Sequence, residues 1–317
     1  MRELVIVAWV VVLSGSVATS AGAQAPPDVA FLETRWGKVR IFPADNPWNQ
    51  DVSRLPVHPR SADYVATIGA DKPLKADFGT EWEGAPIGIP YCVVGRAQPK
   101  SKVRFQYADE SDAGPYPIPD DPPIEGGPAS TGDRHVLIVA PEEGRIYELY
   151  STNKKEDGWH AGSGAIWDVT TNKLRQLTWT SADAAGLPIF PGLARYDEAV
   201  ERGVIPHALR FTCRRTQQAF ILPATHQAGE SNDPTLPPMG LRMRLKANID
   251  PGDFPKHARP VVVALQKYGM ILADNGSDWF VSGAPHPKWS DEQLRSLSKI
   301  KGSDFEAVDT GKIIPKR

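Results

Sequence analysis

Short runs of alternating apolar and polar residues dominate the middle of the chain. Residues 103–107 and 240–246 alternate at period two, which is typical of half-buried strands. Two apolar runs, 135–140 and 145–150, flank a Pro-Glu-Glu-Gly turn and predict a β-hairpin. The same pattern predicts further strands and two more hairpins, at 207–222 and 270–282.

Helical signals are few by comparison. Residues 253–267 form one apolar stretch, 197–202 form a shorter one, and Ser290 with Gln293 makes a capping-box start. The chain contains 30 proline and 27 glycine residues, which argues against long helices and coiled coils. The sequence therefore predicts a mainly β fold, an antiparallel β-sandwich or jelly-roll-like arrangement with a few peripheral helices.

The first segment has the features of a targeting signal. Arg2 precedes an apolar run at 4–13, and Ala21-Gly22-Ala23 fits a small-x-small cleavage site. We predict a signal peptide at 1–23 and a single secreted β-rich domain at 24–317, located outside the cell or in the periplasm. No membrane association is expected after cleavage; an uncleaved anchor is the alternative. The net charge of −2 gives no indication of a basic surface that would bind nucleic acid.

Two features bear on the stability of an exported chain. Cys92 and Cys213 are the two cysteines, and an even pair predicts a disulfide; two buried free thiols are the alternative.

Residues 109–132 are rich in proline, and Tyr116, Ile118 and Ile124 alternate with the prolines. We expect this segment to wrap over the core in an ordered way.

Tryptophan is abundant, with eight residues after the signal peptide. Flat indole rings stack on the apolar faces of sugars, although tryptophan also fills the cores of β proteins. Trp159 and His160 lie in a glycine-flanked turn, Trp167 follows it, and Trp179 opens a segment of small residues. These four residues are predicted to bind a carbohydrate substrate.

Three carboxylates are candidates for acid–base chemistry. Glu148 shares a strand face with Ile146 and Tyr150, and burial there would raise its pKa, as a general acid requires. Because the opposite face is also apolar, both faces are expected to be covered; the alternative is that Glu148 faces solvent. Asp133 and Asp183 are the candidate partners, since a glycosidase needs two carboxylates.

Three histidines complete the predicted site. His135 opens a strand, and His207 and His226 flank a predicted hairpin, so all three could orient substrate or tune the acid. His135 could equally be a hydrogen-bonded core residue. Their spacing matches no common metal-ligand pattern, and neither a metal nor a cofactor is predicted.

The sequence contains no serine-hydrolase elbow, zincin, dinucleotide-binding or P-loop motif. It therefore favours a secreted glycoside hydrolase that acts on a polysaccharide or oligosaccharide. The alternatives are a non-catalytic sugar-binding or envelope protein and a metal-dependent enzyme that uses the histidines.

Six segments resemble a widespread group of secreted, mostly uncharacterised bacterial proteins. They begin with Ile41-Phe-Pro-Ala-Asp-Asn-Pro-Trp-Asn49 and Thr131-Gly-Asp-Arg-His-Val-Leu137, and continue with segments 179–188, 206–211, 237–242 and 268–275. The resemblance covers nearly the whole chain after the signal peptide. It implies a single domain and brings no activity.

Overall fold

The computed structural model describes residues 30–316, and strands outweigh helices in it, 29% against 18%. Its α-helices are α1 (Ser61–Ile68), α2 (Arg259–Lys267) and α3 (Asp291–Arg295), joined by short 3-10 segments and one π-helical turn at Asp197–Arg202. The strands are β1 (Phe31–Thr34), β2 (Gly37–Arg40), β3 (Lys75–Asp77), β4 (Glu81–Trp82), β5 (Ala85–Pro86), β6 (Tyr91–Val93), β7 (Val103–Phe105), β8 (Val136–Ala140), β9 (Arg145–Tyr150), β10 (Asn153–Lys155), β11 (Gly158–Ala161), β12 (Ser163–Asp168), β13 (Leu209–Cys213), β14 (Ala219–Ile221), β15 (Arg242–Leu245), β16 (Met270–Asn275), β17 (Phe280–Ser282), β18 (Phe305–Val308) and β19 (Ile313–Pro315).

Two larger sheets organise the chain. One has six strands in the order β18-β15-β16-β13-β17-β3, and the other has four in the order β12-β9-β8-β6. The prediction of antiparallel sheets is wrong, because both sheets are mixed. Strands β13 and β16 are parallel, as are β17 and β3 in the same sheet and β6 and β8 in the other. A mainly β fold is confirmed.

Strand positions were easier to predict than strand partners. The β8–β9 hairpin forms as predicted, with a short 3-10 turn at Pro141–Glu143 between its strands. The other two hairpins are wrong. β14 pairs with β19 instead of β13, while β16 and β17 lie on opposite sides of β13 and do not pair with each other. In the second case β13, which is distant in sequence, lies between β16 and β17, the two strands that a turn joins.

The four-stranded sheet is covered on both faces. Leu137, Val139 and Ile146 on one face belong to the same buried cluster as Leu209 and Phe211 of the six-stranded sheet. The opposite face packs on a second cluster that contains Tyr116 and Ile118 from the proline-rich segment. The predicted wrapping of this segment over the core is therefore confirmed at these anchors.

Helix starts follow local capping rules. Ser290 caps α3 by accepting a hydrogen bond from the backbone of Gln293, as its sequence predicts. Helix α2 is shorter than predicted, because a 3-10 turn at Pro251–Asp253 precedes it and the helix starts only at Arg259, one residue before Pro260.

Both cysteines are free thiols, so the predicted disulfide is wrong for this structure. Cys92 lies on β6 and Cys213 on β13, in different sheets. Burial raises the pKa of each thiol to about 12. The predicted signal peptide lies outside the described residues, and within residues 30–316 no helix is long and apolar enough to cross a membrane.

Candidate functional site

An acidic cleft of about 250 Å³ opens where the two larger sheets approach each other through segment 180–184. Asp274 and Asn275 at the end of β16 form one wall, and Tyr150 at the end of β9 with Ser163 at the start of β12 forms another. Tyr107, Asp133 and the segment 180–184 complete the lining. The cleft thus collects polar side chains from strand ends, where a rigid scaffold can hold them in place.

A buried arginine connects the carboxylates of the cleft. Arg210 on β13 donates from Nε and Nη2 to the two oxygens of Asp183, both at 2.8 Å. Its Nη2 also lies 3.3 Å from Oδ2 of Asp274, and its Nη1 donates to Ser282 at 2.6 Å. Because Asp183 is fully buried and both of its oxygens face Arg210, it positions the arginine and does not reach a ligand itself.

Asp274 has the properties of a general acid. Burial raises the pKa of this carboxyl to about 7, and the neighbouring Asp183 adds to the effect while Arg210 opposes it. Its side chain nevertheless keeps 24% of its surface exposed to the cleft. A carboxyl group that is still partly protonated at neutral pH and open to solvent can donate a proton to a ligand.

His135 lies behind the cleft as a fixed cation. Its Nδ1 lies 2.6 Å from Oε2 of Glu125, and its Nε2 lies 2.9 Å from the carbonyl of Ala182. Burial alone would lower its pKa, but the Glu125 carboxylate raises it to about 9. Since both ring nitrogens face acceptors, His135 is an imidazolium that holds segment 180–184, not a general base.

The carboxylates near His135 could in principle hold a metal. Glu125, Asp133 and His135 are the one group within residues 30–316 whose ligand atoms lie within 4.8 Å of one another. A metal-bound imidazole needs a free lone pair, and both nitrogens of His135 already donate to oxygens. The ion pair accounts for this cluster, and the residues do not fit a metal centre.

Glu148 is completely buried, as expected if both faces of its strand are covered, but it does not line the cleft. Its oxygens accept hydrogen bonds from the backbone of Ile189 and Phe190 and from Nε1 of Trp167 at 2.9 Å. Burial raises its pKa to about 7. The expected pKa is therefore present, but no substrate can touch this carboxyl in the observed conformation, and its contacts are those of a positioning residue.

Two of the three predicted histidines converge on the segment around Asp183, and the third does not. His226 binds the carbonyl of Ala184 through Nδ1 at 2.8 Å, so His135 and His226 hold the carbonyls on either side of Asp183. His207 belongs to a separate buried group, with Nε2 3.0 Å from Glu198. The hairpin expected to join His207 and His226 does not form, which explains their separation.

A second depression of about 820 Å³, the tryptophan groove, contains two of the four residues predicted to bind sugar. Trp179 is half-buried in its wall, and the mostly buried Trp167 also lines it. Trp159 is buried in the second core cluster, and His160 pairs with Asp157 at 2.9 Å. Neither Trp159 nor His160 lines the cleft or the groove.

Sequence reasoning missed three residues of the site. Asp274 lies within the predicted hairpin at 270–282, Arg210 within the predicted hairpin at 207–222, and Glu125 within the proline-rich segment 109–132. A usable signal existed for Arg210, because a charged residue in an otherwise apolar strand requires a buried partner.

Comparison with known proteins adds no relative. No protein-family model, no curated protein and no solved structure matches this chain.

Proposed function

We propose that this chain is a carbohydrate-active hydrolase that cleaves a glycosidic bond in the acidic cleft, with Asp274 as the general acid. The observation that carries the proposal is a partly exposed carboxyl with its pKa raised to about 7, which lines one cleft together with a second carboxyl, Asp133. This assigns the acid role, which the sequence suggested for Glu148, to a residue that a substrate can reach.

The groups around Asp274 suit a sugar. Tyr107 and Tyr150 offer aromatic faces for the apolar side of a pyranose ring, and the hydroxyls of Ser163, Thr180 and Ser181 offer hydrogen bonds. Behind them, Arg210 binds Asp183 and Asp274, and the His135 imidazolium holds the carbonyl of Ala182.

The chemistry follows from these positions. Asp274 gives its proton to the glycosidic oxygen as the carbon–oxygen bond breaks, and Asp133 faces the positive charge that develops on the sugar. Water supplies the new hydroxyl group, and its remaining proton returns to the carboxyl pair. Asp183 remains bound to Arg210 throughout and keeps the pKa of Asp274 high.

A reducing-sugar screen on mixed polysaccharides tests the proposal. We expect Asp274→Asn to lower turnover by about 10²- to 10⁴-fold, because the amide keeps the shape of the side chain but has no transferable proton. Asp71→Asn is the matched control, since Asp71 is exposed and does not line the cleft. Unchanged turnover in Asp274→Asn, or no product from any polysaccharide with folded protein, would contradict the proposal.

A non-catalytic sugar-binding protein is the second candidate, and the tryptophan groove favours it. In that case Trp179→Ala would abolish retention on polysaccharide, whereas Asp274→Asn would bind as the unaltered protein does. The groove alone would then account for function, and no polysaccharide would release reducing ends.

We also propose that the two larger sheets are the layers of a sandwich. They share one buried cluster, and Glu148 of the four-stranded sheet binds the backbone at 189–190, which packs next to β13.

A further inference from the structure

The tryptophan groove differs from the acidic cleft in charge. Its lining contains three cations, Arg145, Lys173 and Arg175, against two carboxylates, Asp112 and Asp168. The charged side chains that line the cleft are all carboxylates, and the chain as a whole has a net charge of −2. The groove is therefore a local positive site on a weakly acidic protein.

Two of the groove's cations make no direct ion pair, although Arg145 lies across from Asp168 in the β9–β12 pair and its charge helps to lower the pKa of that carboxyl. Arg175 is neutralised by Asp112, whose Oδ2 lies 2.6 Å from Nη1, and Asp168 accepts hydrogen bonds from Thr170. Within residues 30–316, neither Arg145 nor Lys173 forms an ion pair or a side-chain hydrogen bond. Cations whose nitrogens make no direct ion pair, placed beside an aromatic wall, can donate hydrogen bonds to an anionic ligand.

The aromatic wall is held rigidly. The guanidinium of Arg175 lies 5.5 Å from the ring centroid of Trp167 and 5.6 Å from that of Trp179. It is fixed by hydrogen bonds to the carbonyls of Glu110 and Thr180, both at 2.8 Å. Glu148 anchors the Trp167 indole from the core. A rigid wall of this kind reduces the entropy that ligand binding costs.

We propose that the tryptophan groove binds the acidic sugar units of a polysaccharide, with Trp179 stacking on a ring and Arg145 and Lys173 binding carboxylate or sulfate groups. Trp179 of the groove and Thr180 of the cleft are consecutive residues, so the two depressions are neighbours. The substrate class rests on the proposed hydrolase function, whereas the binding site does not depend on it.

Calorimetric titration with defined hexasaccharides tests the groove separately from catalysis. We expect a hexagalacturonide to bind and a neutral maltohexaose or xylohexaose to bind at least tenfold more weakly. A sulfated neutral hexasaccharide distinguishes charge alone from carboxylate recognition. Affinity should fall as salt rises from 0.05 to 0.5 M, since exposed charges are screened.

Variants locate the binding to the groove. Lys173→Gln and Arg145→Gln should each weaken hexagalacturonide binding roughly two- to fivefold, and Trp179→Ala about tenfold. Lys299→Gln and Trp82→Ala are matched controls, because both residues are exposed and neither lines the groove.

Three results would overturn the groove proposal. They are equal affinity for acidic and neutral hexasaccharides, affinity that the groove variants leave unchanged, and failure of every acidic hexasaccharide to bind. Acidic-glycan binding without any hydrolysis would instead sustain the groove and remove the hydrolase.

Discussion

At the scale of single residues, burial separates the carboxylates that can act from those that can only position others. Asp183 and Glu148 have no exposed surface, and their oxygens are occupied by protein donors. Asp274 shares their low-dielectric surroundings but remains open to the cleft. Only a group with both properties can hold a proton at neutral pH and pass it to a ligand.

The pH dependence of hydrolysis provides a prediction at this scale. A general acid must be protonated, so activity should fall as pH rises through about 7, the pKa of Asp274. Asp183→Asn removes the neighbouring negative charge and frees Arg210 to pair with Asp274. Both changes lower the Asp274 pKa, so the loss of activity should begin at a lower pH.

Rate profiles of the two proteins on one polysaccharide provide the measurement, and thermal unfolding verifies that Asp183→Asn is folded. A descending limb at the same pH in both proteins would show that Asp183 does not set the acidity of Asp274.

At the scale of elements, local pattern located the strands but could not select their partners. The apolar residues of 207–213 predict the strand β13, and all five of its residues are buried. Its neighbours β16 and β17 are close to each other in sequence, and a turn between them suggested a hairpin. Non-local packing decided otherwise, since β13 gains a buried partner on each side.

The same limit explains the candidate site. Asp183 and Asp133 could be selected from the sequence because they stand beside small residues or at a strand start. Asp274 and Glu125 become notable only when the fold brings them to Arg210 and His135. No spacing along the chain records such a contact, so the sequence suggested the chemistry without the correct acid.

The proline-rich segment stabilises the site through one ion pair. Glu125 in this segment pairs with buried His135, the residue that directly precedes β8. Arg134 donates hydrogen bonds to the carbonyls of Pro128 and Ser130 in the same segment. The sequence predicted an ordered segment from its apolar anchors. The role of Glu125 follows only from the structure.

Glu125→Gln should therefore destabilise the protein in a pH-dependent way. His135 has a pKa of about 9 in the folded protein against 6.5 as its ordinary value, so its ion pair stabilises the fold fully below pH 6.5. This contribution disappears as pH rises through about 9. We expect a loss of about 2 kcal/mol in unfolding free energy at pH 6 and a much smaller loss at pH 9.5.

Urea unfolding at the two pH values measures this difference, with Glu156→Gln as a control at an exposed glutamate. An equal loss at both pH values would indicate lost packing in place of a lost ion pair.

At the scale of the whole molecule, the two larger sheets share one buried cluster, and the segment that carries Asp183 lies between them. The cleft therefore depends on the relative position of both sheets. A site of this kind is preserved only while the sheets remain packed together, which makes their joint unfolding relevant to function.

The free cysteines report on this joint unfolding, because Cys92 belongs to one sheet and Cys213 to the other. Burial and a thiol pKa of about 12 should make Cys213 unreactive towards a thiol reagent in the folded protein at pH 8, and half-buried Cys92, whose pKa is also about 12, should react only slowly. In 8 M urea without reductant, two thiols per chain should react.

Cys92→Ser and Cys213→Ser should each leave one thiol that becomes reactive at the same urea midpoint, since the sheets share a core. Reaction of Cys92 at a clearly lower urea concentration than Cys213 would show that the four-stranded sheet unfolds alone, and the absence of free thiols in urea would show a disulfide.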